Sequence, residues 1–432
     1  MEKRVIKIGL MGLGTVGTGV AKILLNNADV LERRIGARLE LVKVLERYKA
    51  RAEGLLPLEL LTEDPRELTE NPEVDVVVEL IGGIHPAKEF ILQALQNGKS
   101  VVTANKDLIA QEGKELFEMA ESTNSDLLFE ASVGGGIPII RPLKQCLAAN
   151  NIKTVMGIVN GTTNYMLTKM TQEGSDFAEV LAEAQARGYA ESDPTADVGG
   201  LDAARKVAIL ASIAFNTRVT FDDVYVEGIT KVTSQDITYA TELGYIIKLL
   251  GIAKLDEEGQ VEVRVHPTFI PKNHPMASVN DVFNAIFVNG DAVGDTMFYG
   301  RGAGEMPTAS AVVGDVMEAA FNIVRNDKGR MPCTCYENRK FKKQEDRVSK
   351  FYVRVLAADR PGVLASIAKA FGDQGVSLQS VIQKDNVGEN ATVVLVTHCT
   401  KEGRILEALK TLEGMDTVEN IGNVIRVEGD EN

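Results

Sequence analysis

The stretch "RVIKIGLMGLGTVGTGVAKILL", residues 4–25, decides the fold of this chain. Apolar residues alternate through its first part, as in a strand, and recur at helical spacing through its last part. Between these parts Gly12, Gly14 and Gly17 form the pattern G-x-G-x-x-G. Glycine-rich turns also occur for purely structural reasons, but between a strand and a helix this pattern indicates a turn that holds a dinucleotide pyrophosphate. We therefore expect a Rossmann-type domain to begin at this stretch.

Three apolar stretches downstream predict further strands of the same sheet: "LELVKVLER" (39–47), "VDVVVELIGG" (74–83) and "KSVVTANK" (99–106). Helical patterns over 86–97 and 107–122 alternate with them. Strands that alternate with helices and are apolar nearly throughout are typical of a parallel sheet buried on both faces. The first domain is therefore predicted to be α/β.

The pattern changes after about residue 130, and the chain length suits three domains. "VEVRVHPTFIP" (261–271) and "FNAIFVNG" (283–290) predict strands with polar alternation, which favours an α+β domain. Beyond a polar linker, strand and helix patterns follow in the order βαββαβ, a ferredoxin-like arrangement. The predicted organisation is a nucleotide-binding domain over 1–130 completed by a helix over 308–325, an α+β substrate-binding and dimerisation domain over 131–307, a linker over 326–349 and the βαββαβ domain over 350–432.

Composition and charge exclude several classes of protein. With 44% hydrophobic and 25% charged residues, the 432-residue chain has the composition of a globular protein. It has no run of about 18 apolar residues and no secretory signal pattern, so we expect a cytoplasmic protein without membrane spans. The net charge of −14 repels phosphate backbones, so no nucleic-acid partner is expected. Cys333 and Cys335 in "CTC" lack a second pair at ligand spacing, so two ordinary thiols are favoured over a metal site.

The end of the second predicted strand is where the adenosine ribose of the cofactor should lie. An acidic residue there favours the free 2′-hydroxyl of NAD, whereas an arginine accommodates the 2′-phosphate of NADP. The sequence "LERYKAR" offers Glu46 and Arg47, with Lys49 and Arg51 close behind. The basic residues favour NADP over NAD, and an ordinary solvated loop is the alternative.

Three consecutive glycines, Gly134 to Gly136, lie in "FEASVGGGIPII" (129–140). Such a run costs folding entropy, so it usually means that backbone must approach something closely or present carbonyl oxygens. A monovalent cation held by those oxygens is one interpretation. From the residues alone, a plain crossover between domains is favoured.

The densest group of charges lies in "GYAESDPTADVGGLDAARK" (188–206). Its members are the carboxylates Glu191, Asp193, Asp197 and Asp202 and the cations Arg205 and Lys206. Asp202 and Lys206 are four apart on one face of a predicted helix, where an exposed ion pair is the plain interpretation. The rest of that helix is apolar, which predicts burial, and buried charges are costly unless they face a polar cavity. We therefore expect this helix to begin at a cavity.

An enzyme that transfers hydride must also move a proton between the substrate hydroxyl and a base. Histidine is the usual base, yet none of the four histidines lies in a promising motif. A buried lysine can do the same work. Lys206 is the first candidate, and Lys106, at the end of a parallel strand where such sheets place ligands, is the second. The neighbouring carboxylates suit a cationic group such as the ammonium of an amino-acid substrate.

Taken together, these motifs make the chain resemble homoserine dehydrogenase over essentially its whole length, in the long monofunctional form with a C-terminal ACT domain. The matching stretches are "GLGTVG", "TANK", "EASVGGGIPII", "NGTTNYML", "GYAESDPTADVGGLDAARK" and "GRGAGEMPTASAVVGD". The resemblance implies the reversible, NAD(P)H-dependent reduction of L-aspartate 4-semialdehyde to L-homoserine, a step toward threonine, methionine and isoleucine. The alternatives are a dehydrogenase acting on another small amino or hydroxy acid, and an amino-acid-sensing regulatory protein with a non-catalytic Rossmann domain.

The resemblance also implies roles for residues of this chain. Lys206 matches the proton donor and acceptor, Glu191 and Asp202 match substrate ligands, and Lys106 matches a contact with both substrate and cofactor. Cofactor contacts are implied for Gly12, Gly14, Thr15, Val16, Gly17, Arg47, Lys106 and Gly302. A sodium site, formed mostly by backbone oxygens, is implied at Glu130, Val133, Gly135 and Ile137. This site replaces the plain crossover as the interpretation of the glycine run.

Residues 350–430 resemble an ACT domain, in which "DRPGVLASIAKAFGDQGVSL" places Pro361 beside Gly362 at a helix start. Such domains often bind an amino acid at a sheet-edge dimer interface. The resemblance therefore implies threonine as a feedback effector and a homodimer or homotetramer. A dimerisation module without a ligand is the alternative.

Overall fold

The computed structural model describes residues 4–429. The strands are β1 Val5–Met11, β2 Arg38–Leu45, β3 Leu61–Thr62, β4 Val76–Glu79, β5 Ser100–Thr103, β6 Leu127–Leu128, β7 Ile152–Ile158, β8 Tyr225–Val226, β9 Tyr245–Leu255, β10 Val261–Pro271, β11 Phe283–Gly290, β12 Gly294–Arg301, β13 Val348–Ala358, β14 Leu378–Val387, β15 Asn390–Thr397, β16 Thr400–Lys401 and β17 Val418–Val427. The helices are α1 Thr15–Asn26, α2 Ala28–Ile35, α3 Arg66–Thr69, α4 Ala87–Gln96, α5 Lys106–Ser122, α6 Gly161–Glu173, α7 Phe177–Ala186, α8 Thr195–Val198, α9 Leu201–Ala214, α10 Ser234–Glu242, α11 Glu305–Arg325, α12 Val363–Asp373 and α13 Glu402–Glu413.

These residues form two compact units, each built from segments that are distant in sequence. The first comprises the chain up to Val155 together with Arg205–Val224 and Asn284–Asn338. The second comprises Met156–Ala204, Tyr225–Phe283 and the chain from Arg339 onward. The chain passes from the second unit to the first within α9.

The first unit contains a six-stranded parallel sheet in the order β3-β2-β1-β4-β5-β6. This is the strand order of a Rossmann-type sheet, so the predicted nucleotide-binding fold is confirmed. Val76, Val77 and Val78 of β4 have no exposed surface, which shows that this central strand is buried on both faces. Burial on both faces of the sheet therefore explains the apolar run of this strand, as the sequence predicts.

α11 packs against α1, although the two helices are far apart in sequence. A Cβ atom at Gly19 of α1 would lie 2.8 Å from the Glu305 carbonyl oxygen and 2.9 Å from Ala309 Cβ. Only glycine tolerates so close an approach. The helix predicted over 308–325 is thus present and lies on the core of the first unit, while the predicted domain boundaries stay a prediction.

The second unit contains a run of strands in the order β9-β10-β17-β13-β15-β14. The last four belong to the C-terminal βαββαβ arrangement, which is therefore confirmed. β17 also pairs in parallel with β10, with Thr268 opposite Arg426 and Phe269 opposite Val427. The C-terminal domain thus continues the sheet of the preceding α+β segment, a connection that the sequence did not predict.

The predicted linker over 326–349 is irregular but hydrogen-bonded. In the first unit the Glu337 amide donates to the Asn216 carbonyl at 2.7 Å. In the second, the Lys342 amide donates to the Val261 carbonyl at 2.8 Å. None of the helices within residues 4–429 combines the length and apolar character that crossing a membrane requires.

Candidate active site

The glycine-rich turn between β1 and α1 has the geometry that a pyrophosphate site needs. Gly12 has φ +94°, a left-handed conformation that favours glycine, and its amide donates to the Leu45 carbonyl at 3.0 Å. A Cβ atom at Gly17 would overlap the Gly12 carbonyl oxygen, so this position needs glycine for packing. A Cβ atom at Gly14, in contrast, would meet no other atom within 4 Å. The space beside Gly14 is therefore open to a ligand.

The first turn of α1 supplies donors for an anion in that space. Thr15 and Val16 begin the helix, so their backbone amides lack an intrahelical acceptor. The preceding cap residue, Gly14, has no side chain that could accept from them. Backbone amides at a helix N-terminus attract phosphate groups. The turn thus fits the pyrophosphate that the sequence predicts for it.

Glu46, at the end of β2, holds the glycine-rich turn in place. Its buried carboxylate accepts hydrogen bonds from the amides of Leu13 at 3.0 Å and Tyr48 at 2.8 Å. Arg51 Nη1 lies 3.1 Å away. Burial opposes ionisation, but the hydrogen bonds from Tyr48, Leu13 and Arg51 outweigh it and lower the pKa of Glu46. The carboxylate is therefore ionised and engaged, while Arg47 beside it is exposed.

Lys106 lies at the carboxyl end of the parallel sheet, where such sheets bind ligands. It is the first residue of α5 and follows the cap residue Asn105. The Asn105 side chain accepts from the Leu108 amide at 3.1 Å and donates to the Gly83 carbonyl at 2.6 Å, which fixes the beginning of the helix. Lys106 Nζ is 3.9 Å from Asp107 Oδ2, and the lysine side chain is 31% exposed. Its ammonium group is thus accessible at the edge where the cofactor is expected.

An ion pair joins the first turn of α5 to the second turn of α9. Arg205 Nε lies 2.6 Å from Asp107 Oδ1, although the N–H direction is not that of a hydrogen bond. The Arg205 guanidinium also lies over the ring of Phe221, 5.1 Å from its centre. Lys106 and Lys206 are the sequence neighbours of the paired residues. The pair therefore fixes the helix turns that carry both predicted functional lysines, which sequence reasoning had not foreseen.

α9 is buried along most of its length, as its apolar pattern predicts. Every residue from Val207 to Ile213 is buried, and Lys206 is half-buried. Asp202, one turn before the lysine, is only 8% exposed. A solvated surface pair does not fit this burial. The charges lie instead at the beginning of a buried helix.

Asn160 organises the carboxylates near that beginning. Its side-chain Nδ2 donates to Asp197 Oδ1 at 2.7 Å and to Asp202 Oδ2 at 3.0 Å. Its Oδ1 caps α6 by accepting from the Thr163 amide at 2.9 Å. This cap fixes the orientation of the Asn160 side-chain amide. Its Nδ2 atom therefore holds both carboxylates in fixed positions. Sequence reasoning missed Asn160, because an uncharged residue in "NGTTNYML" gives no electrostatic signal.

Glu191 does not share the hydrogen bonds that Asn160 donates to Asp197 and Asp202. It is exposed, in the turn before α8, and its main-chain oxygen accepts from Gln185 Nε2 at 3.0 Å. Asp193, two residues on, accepts from the Thr195 amide at 3.1 Å and so stabilises the turn. The structure thus brings together Asp197 and Asp202 of the four predicted carboxylates. A role for Glu191 in substrate binding stays a prediction.

Glu130 is committed to the backbone of the following segment. Its carboxylate accepts from the amides of Ile139 at 2.6 Å, Ile140 at 2.8 Å and Arg141 at 2.8 Å. Its own amide donates to Asp315 Oδ2 at 2.8 Å. Burial and the nearby Glu130 carboxylate raise the pKa of Asp315 to about 7, although Arg141 opposes the shift. Glu130 therefore anchors the loop that contains the three glycines.

The three-glycine loop contacts the "RGAG" segment backbone to backbone. The Gly136 amide donates to the Arg301 carbonyl at 3.0 Å. A Cβ atom on Gly135, which has φ +55°, would overlap the Gly302 carbonyl. A Cβ atom on Gly302 would overlap the side chain of Asn284. Close backbone approach is thus the physical reason for both glycine positions.

A cation at this loop would depend on main-chain oxygens. Val133, Gly135 and Ile137 offer carbonyl oxygens, hard donors of the type that sodium prefers. The carboxylate of Glu130 already accepts three amide hydrogen bonds. Among residues 4–429, no group of three or more His, Cys, Asp or Glu side chains could hold a metal ion. The donor set therefore suits a monovalent cation better than a transition metal.

Three family models match this chain. Residues 12–130 match the homoserine dehydrogenase NAD-binding domain, residues 138–317 match homoserine dehydrogenase, and residues 351–414 match the ACT domain. The homoserine dehydrogenase of Corynebacterium glutamicum is 48% identical, with 98% of this chain and 96% of that protein covered. The chain belongs to the homoserine dehydrogenase family. The homoserine dehydrogenase of Neisseria gonorrhoeae is 45% identical, with 98% of each chain covered.

Solved structures of homoserine dehydrogenases support the same assignment. The crystal structure of one from Thiobacillus denitrificans, 43% identical, matches with a TM-score of 0.93 over 99% of each chain. A hyperthermophilic archaeal homoserine dehydrogenase in complex with NADPH, 28% identical, matches with a TM-score of 0.64 over 74% of this chain and 98% of its own. The chain is therefore an oxidoreductase with a nicotinamide-binding domain. The predictions of an enzyme and of a C-terminal ACT domain are confirmed.

Proposed function

We propose that this member of the homoserine dehydrogenase family reversibly reduces L-aspartate 4-semialdehyde to L-homoserine with NADPH or NADH. The observation that carries the proposal is the pair Asp197 and Asp202 held by Asn160 at the beginning of α9. Lys206 follows Asp202 by one turn of the same helix. In the proposed substrate the reacting oxygen is three bonds from the carbon that carries the ammonium group. Such a substrate needs a negative charge beside its ammonium group and a proton donor beside its oxygen, about one helical turn away. The product would serve threonine, methionine and isoleucine biosynthesis.

Each side chain has a separate task in this proposal. Asp202, with Glu191, binds the ammonium group of the substrate and orients its C4 carbon. Lys206 Nζ donates a proton to the aldehyde oxygen as negative charge develops there, and it accepts the hydroxyl proton in the reverse direction. The nicotinamide cofactor, when bound, supplies or accepts the hydride at C4. Lys106, the first residue of α5, contacts both ligands.

NADP is the favoured cofactor in this proposal. An acidic residue at the end of β2 would usually bind the free ribose hydroxyl of NAD. Glu46 is instead engaged by Leu13, Tyr48 and Arg51, which supports a structural role for it. Exposed Arg47 then supplies the charge for a 2′-phosphate, and Gly302 contributes a second cofactor contact. Arg47→Ala should raise the KM for NADPH while leaving that for NADH within about twofold, and equal effects on both would contradict the preference for NADP.

A sodium ion is proposed at the loop containing Glu130, Val133, Gly135 and Ile137. The loop also contacts the segment of Gly302, through the Gly136 amide and the Arg301 carbonyl. A bound cation would therefore stabilise the segment proposed to contact the cofactor. Replacing sodium with lithium or tetramethylammonium should raise the KM for the cofactor. An unchanged KM in all three salts would remove the cation from this role.

Threonine is proposed as the effector of the ACT domain, and the assembly as a homodimer or homotetramer. The confirmed ACT domain supports amino-acid regulation, and threonine is an end product of the proposed pathway. L-Threonine should inhibit the intact enzyme, whereas D-threonine at the same concentration should not. Equal effects of the two enantiomers would contradict a specific site. A cytoplasmic location also stays a prediction.

The central experiment measures oxidation of L-homoserine by following the nicotinamide absorbance. Lys206→Ala should lower kcat by about 10²- to 10⁴-fold, the range for removal of a general acid or base. Lys369→Ala, which removes a lysine that is paired with Asp373 on the surface of α12, serves as the control and should leave kcat unchanged. Wild-type protein that is inactive with both cofactors would overturn the reaction. A fully active Lys206→Ala variant would overturn only the assignment of the proton donor.

A further inference from the structure

The "CTC" segment has surroundings that its sequence did not reveal. Arg218 Nη2 donates to Cys333 Sγ at 3.3 Å. Cys335 lies with its Sγ 3.8 Å from the Ser212 carbonyl oxygen of α9. Only Thr334 separates the two cysteines in the sequence. Both thiols are free and partly buried, and all of these residues belong to the first unit.

A second cation, Lys144, lines the same cavity as both cysteines. Lys144 Nζ donates a 2.9 Å hydrogen bond to the carbonyl of Pro332, the residue before Cys333. It also lies over the rings of Phe117 and Phe129, at 5.9 and 5.8 Å from their centres. Burial lowers the pKa of Lys144, although the two sulfur atoms and Glu318 oppose the shift. Its charge nonetheless adds to that of Arg218 at the thiols. The surroundings of the sulfur atoms are therefore electropositive.

This environment separates the two thiols chemically. The neighbouring Cys335 thiol, with Arg218 and Lys144, lowers the pKa of Cys333 although burial opposes the shift. Cys333 and burial raise the pKa of Cys335. The hydrogen bond from Arg218 to the Cys333 sulfur favours the same direction, so Cys333 is the thiol of the two that ionises more readily. A thiolate beside a second cysteine is the arrangement from which intramolecular disulfides form.

Cys333 lies in the wall shared by two cavities. One is a narrow space of ≈ 20 Å³, about enough for one water molecule, and is lined by both cysteines, by Ile109 of α5 and by Ser212 of α9. The other offers ≈ 280 Å³ and is lined by Cys333 and Glu121. A small thiol reagent that enters the larger cavity therefore reaches Cys333 beside Arg218.

We propose that Cys333 and Cys335 form a thiol–disulfide exchange site for low-molecular-weight disulfides. In the first step the Cys333 thiolate attacks one sulfur of the disulfide R–S–S–R, which forms a mixed disulfide and releases R–S⁻. In the second step Cys335 loses its proton to solvent and attacks the Cys333 sulfur, which forms the Cys333–Cys335 bond and releases the second R–S⁻. In all, the protein loses two electrons and the Cys335 proton, and R–S–S–R gains the two electrons and leaves as two R–S⁻, which take up protons from solvent according to pH.

Oxidation of the two cysteines would affect α5 and α9, the helices that carry the proposed functional lysines. The cavity that both cysteines line is bounded by α5 and α9, which carry Lys106 and Lys206 near their beginnings. A disulfide between residues two apart in sequence changes the backbone of the segment and removes the Cys335 thiol contact with Ser212. We therefore expect kcat to fall and the KM values to change little. This consequence rests on the proposed function, whereas the exchange chemistry does not.

Alkylation rates test the reactivity of Cys333 directly. The intact enzyme is treated with iodoacetamide at pH 7, and each cysteine is followed by peptide mass spectrometry. Cys333 should react at least about tenfold faster than the exposed controls Cys146 and Cys399, because more of it is thiolate. Arg218→Met should reduce that advantage severalfold. A Cys333 rate equal to or below the Cys399 rate would overturn the proposal.

Glutathione disulfide then tests the exchange itself. Wild type and the Cys399→Ser control should lose two hydrogens in the peptide containing Cys333 and Cys335, and dithiothreitol should restore them. Cys335→Ser should stop at the mixed disulfide with Cys333, and Cys333→Ser should form neither product. Failure to form the internal disulfide would contradict the site even if homoserine oxidation is normal. Formation of the disulfide in an enzyme inactive with homoserine would contradict only the proposed function.

Discussion

Arg205 Nε lies 2.6 Å from Asp107 Oδ1, and this ion pair joins the second turn of α9 to the first turn of α5. The two residues are the sequence neighbours of Lys206 and Lys106. The contact therefore positions both lysines of the proposed reaction. Neither Arg205 nor Asp107 needs to touch the substrate for this effect.

Arg205→Met tests this positioning role. The variant keeps an apolar side chain over Phe221 but loses the ion pair, so Lys206 should lose its exact placement. We expect kcat to fall by about 10- to 100-fold, the size of effect that a misplacement near 1 Å produces, with a smaller change in the KM for the cofactor. Arg187→Met, which removes an arginine paired with Glu183 on α7, should leave kcat unchanged. A normal kcat for Arg205→Met would show that the pair is not needed for positioning.

Asp202→Asn tests recognition of the substrate ammonium group. The variant preserves the size of the side chain but removes its charge, so kcat/KM for L-homoserine should fall at least about 30-fold, equivalent to ~2 kcal/mol. The KM for the cofactor should stay constant. Asp193→Asn, in the preceding turn, is the matched control and should change kcat/KM less than about twofold. Equal losses in both variants would mean that general negative charge, rather than Asp202, matters.

A pair of glycine variants separates folding from cofactor binding. Gly17→Ala places a methyl group against the Gly12 carbonyl and should lower the free energy of unfolding by at least about 1 kcal/mol. Gly14→Ala places the methyl group in open space, so stability should change by less than about 0.5 kcal/mol. Its KM for the cofactor should nonetheless rise at least about tenfold, because the methyl group occupies the space expected for the pyrophosphate. Urea unfolding and steady-state kinetics measure the two effects, and a normal cofactor KM for Gly14→Ala would contradict the site.

Asp236 tests the junction between α10 and the ACT sheet. Its carboxylate has no exposed surface, lies 2.7 Å from Arg354 Nε and accepts from Tyr352 at 3.0 Å and Asn423 at 2.9 Å. Burial opposes ionisation, but Arg354 and Asn423 outweigh it and lower the pKa of Asp236. Because the folded pKa is below the unfolded one, the stabilisation is present above about pH 4 and is lost as pH falls through the folded pKa.

Asp236→Asn should therefore lower the free energy of unfolding at pH 7 by about 3 kcal/mol. The difference from wild type should shrink as pH falls below about 4, because the unfolded wild-type chain then binds a proton that the folded carboxylate does not yet bind. Asp346→Asn removes one partner of a solvent-exposed pair with Lys401 and should cost less than about 1 kcal/mol. Urea unfolding at pH 7 and pH 3 provides the comparison. A difference that does not depend on pH would contradict the assigned ionisation.

Features with a local cause could be predicted from the sequence. The glycine-rich turn is specified by three residues whose steric needs are met within a few ångströms, as Gly12 and Gly17 show. The parallel sheet follows from apolar runs that only a doubly covered sheet can bury. The burial of α9 follows in the same way from its apolar residues. Each of these properties depends on the pattern of neighbouring residues along the chain.

Features that depend on distant partners could not be predicted. The strand pattern over β10 indicates that its backbone needs hydrogen-bond partners. It does not indicate that β17, more than 150 residues later, is one of the strands that supply them. Glu46 could be identified as an acidic residue at a strand end, but not as the acceptor of the Leu13 amide. Asn160 carries no charge, so its role emerges only when Asp197 and Asp202 are seen beside it. In each case topology, rather than periodicity, supplies the partner.

The pairing of β17 with β10 also limits how this enzyme can be engineered. A chain cut before the ACT domain would expose the edge of β10 with unpaired peptide groups, and such edges promote aggregation. It would also leave the buried Arg264 without Glu428, its partner from the C-terminal segment. The proposed regulation by the ACT domain is therefore better removed by point substitutions in that domain than by shortening the chain.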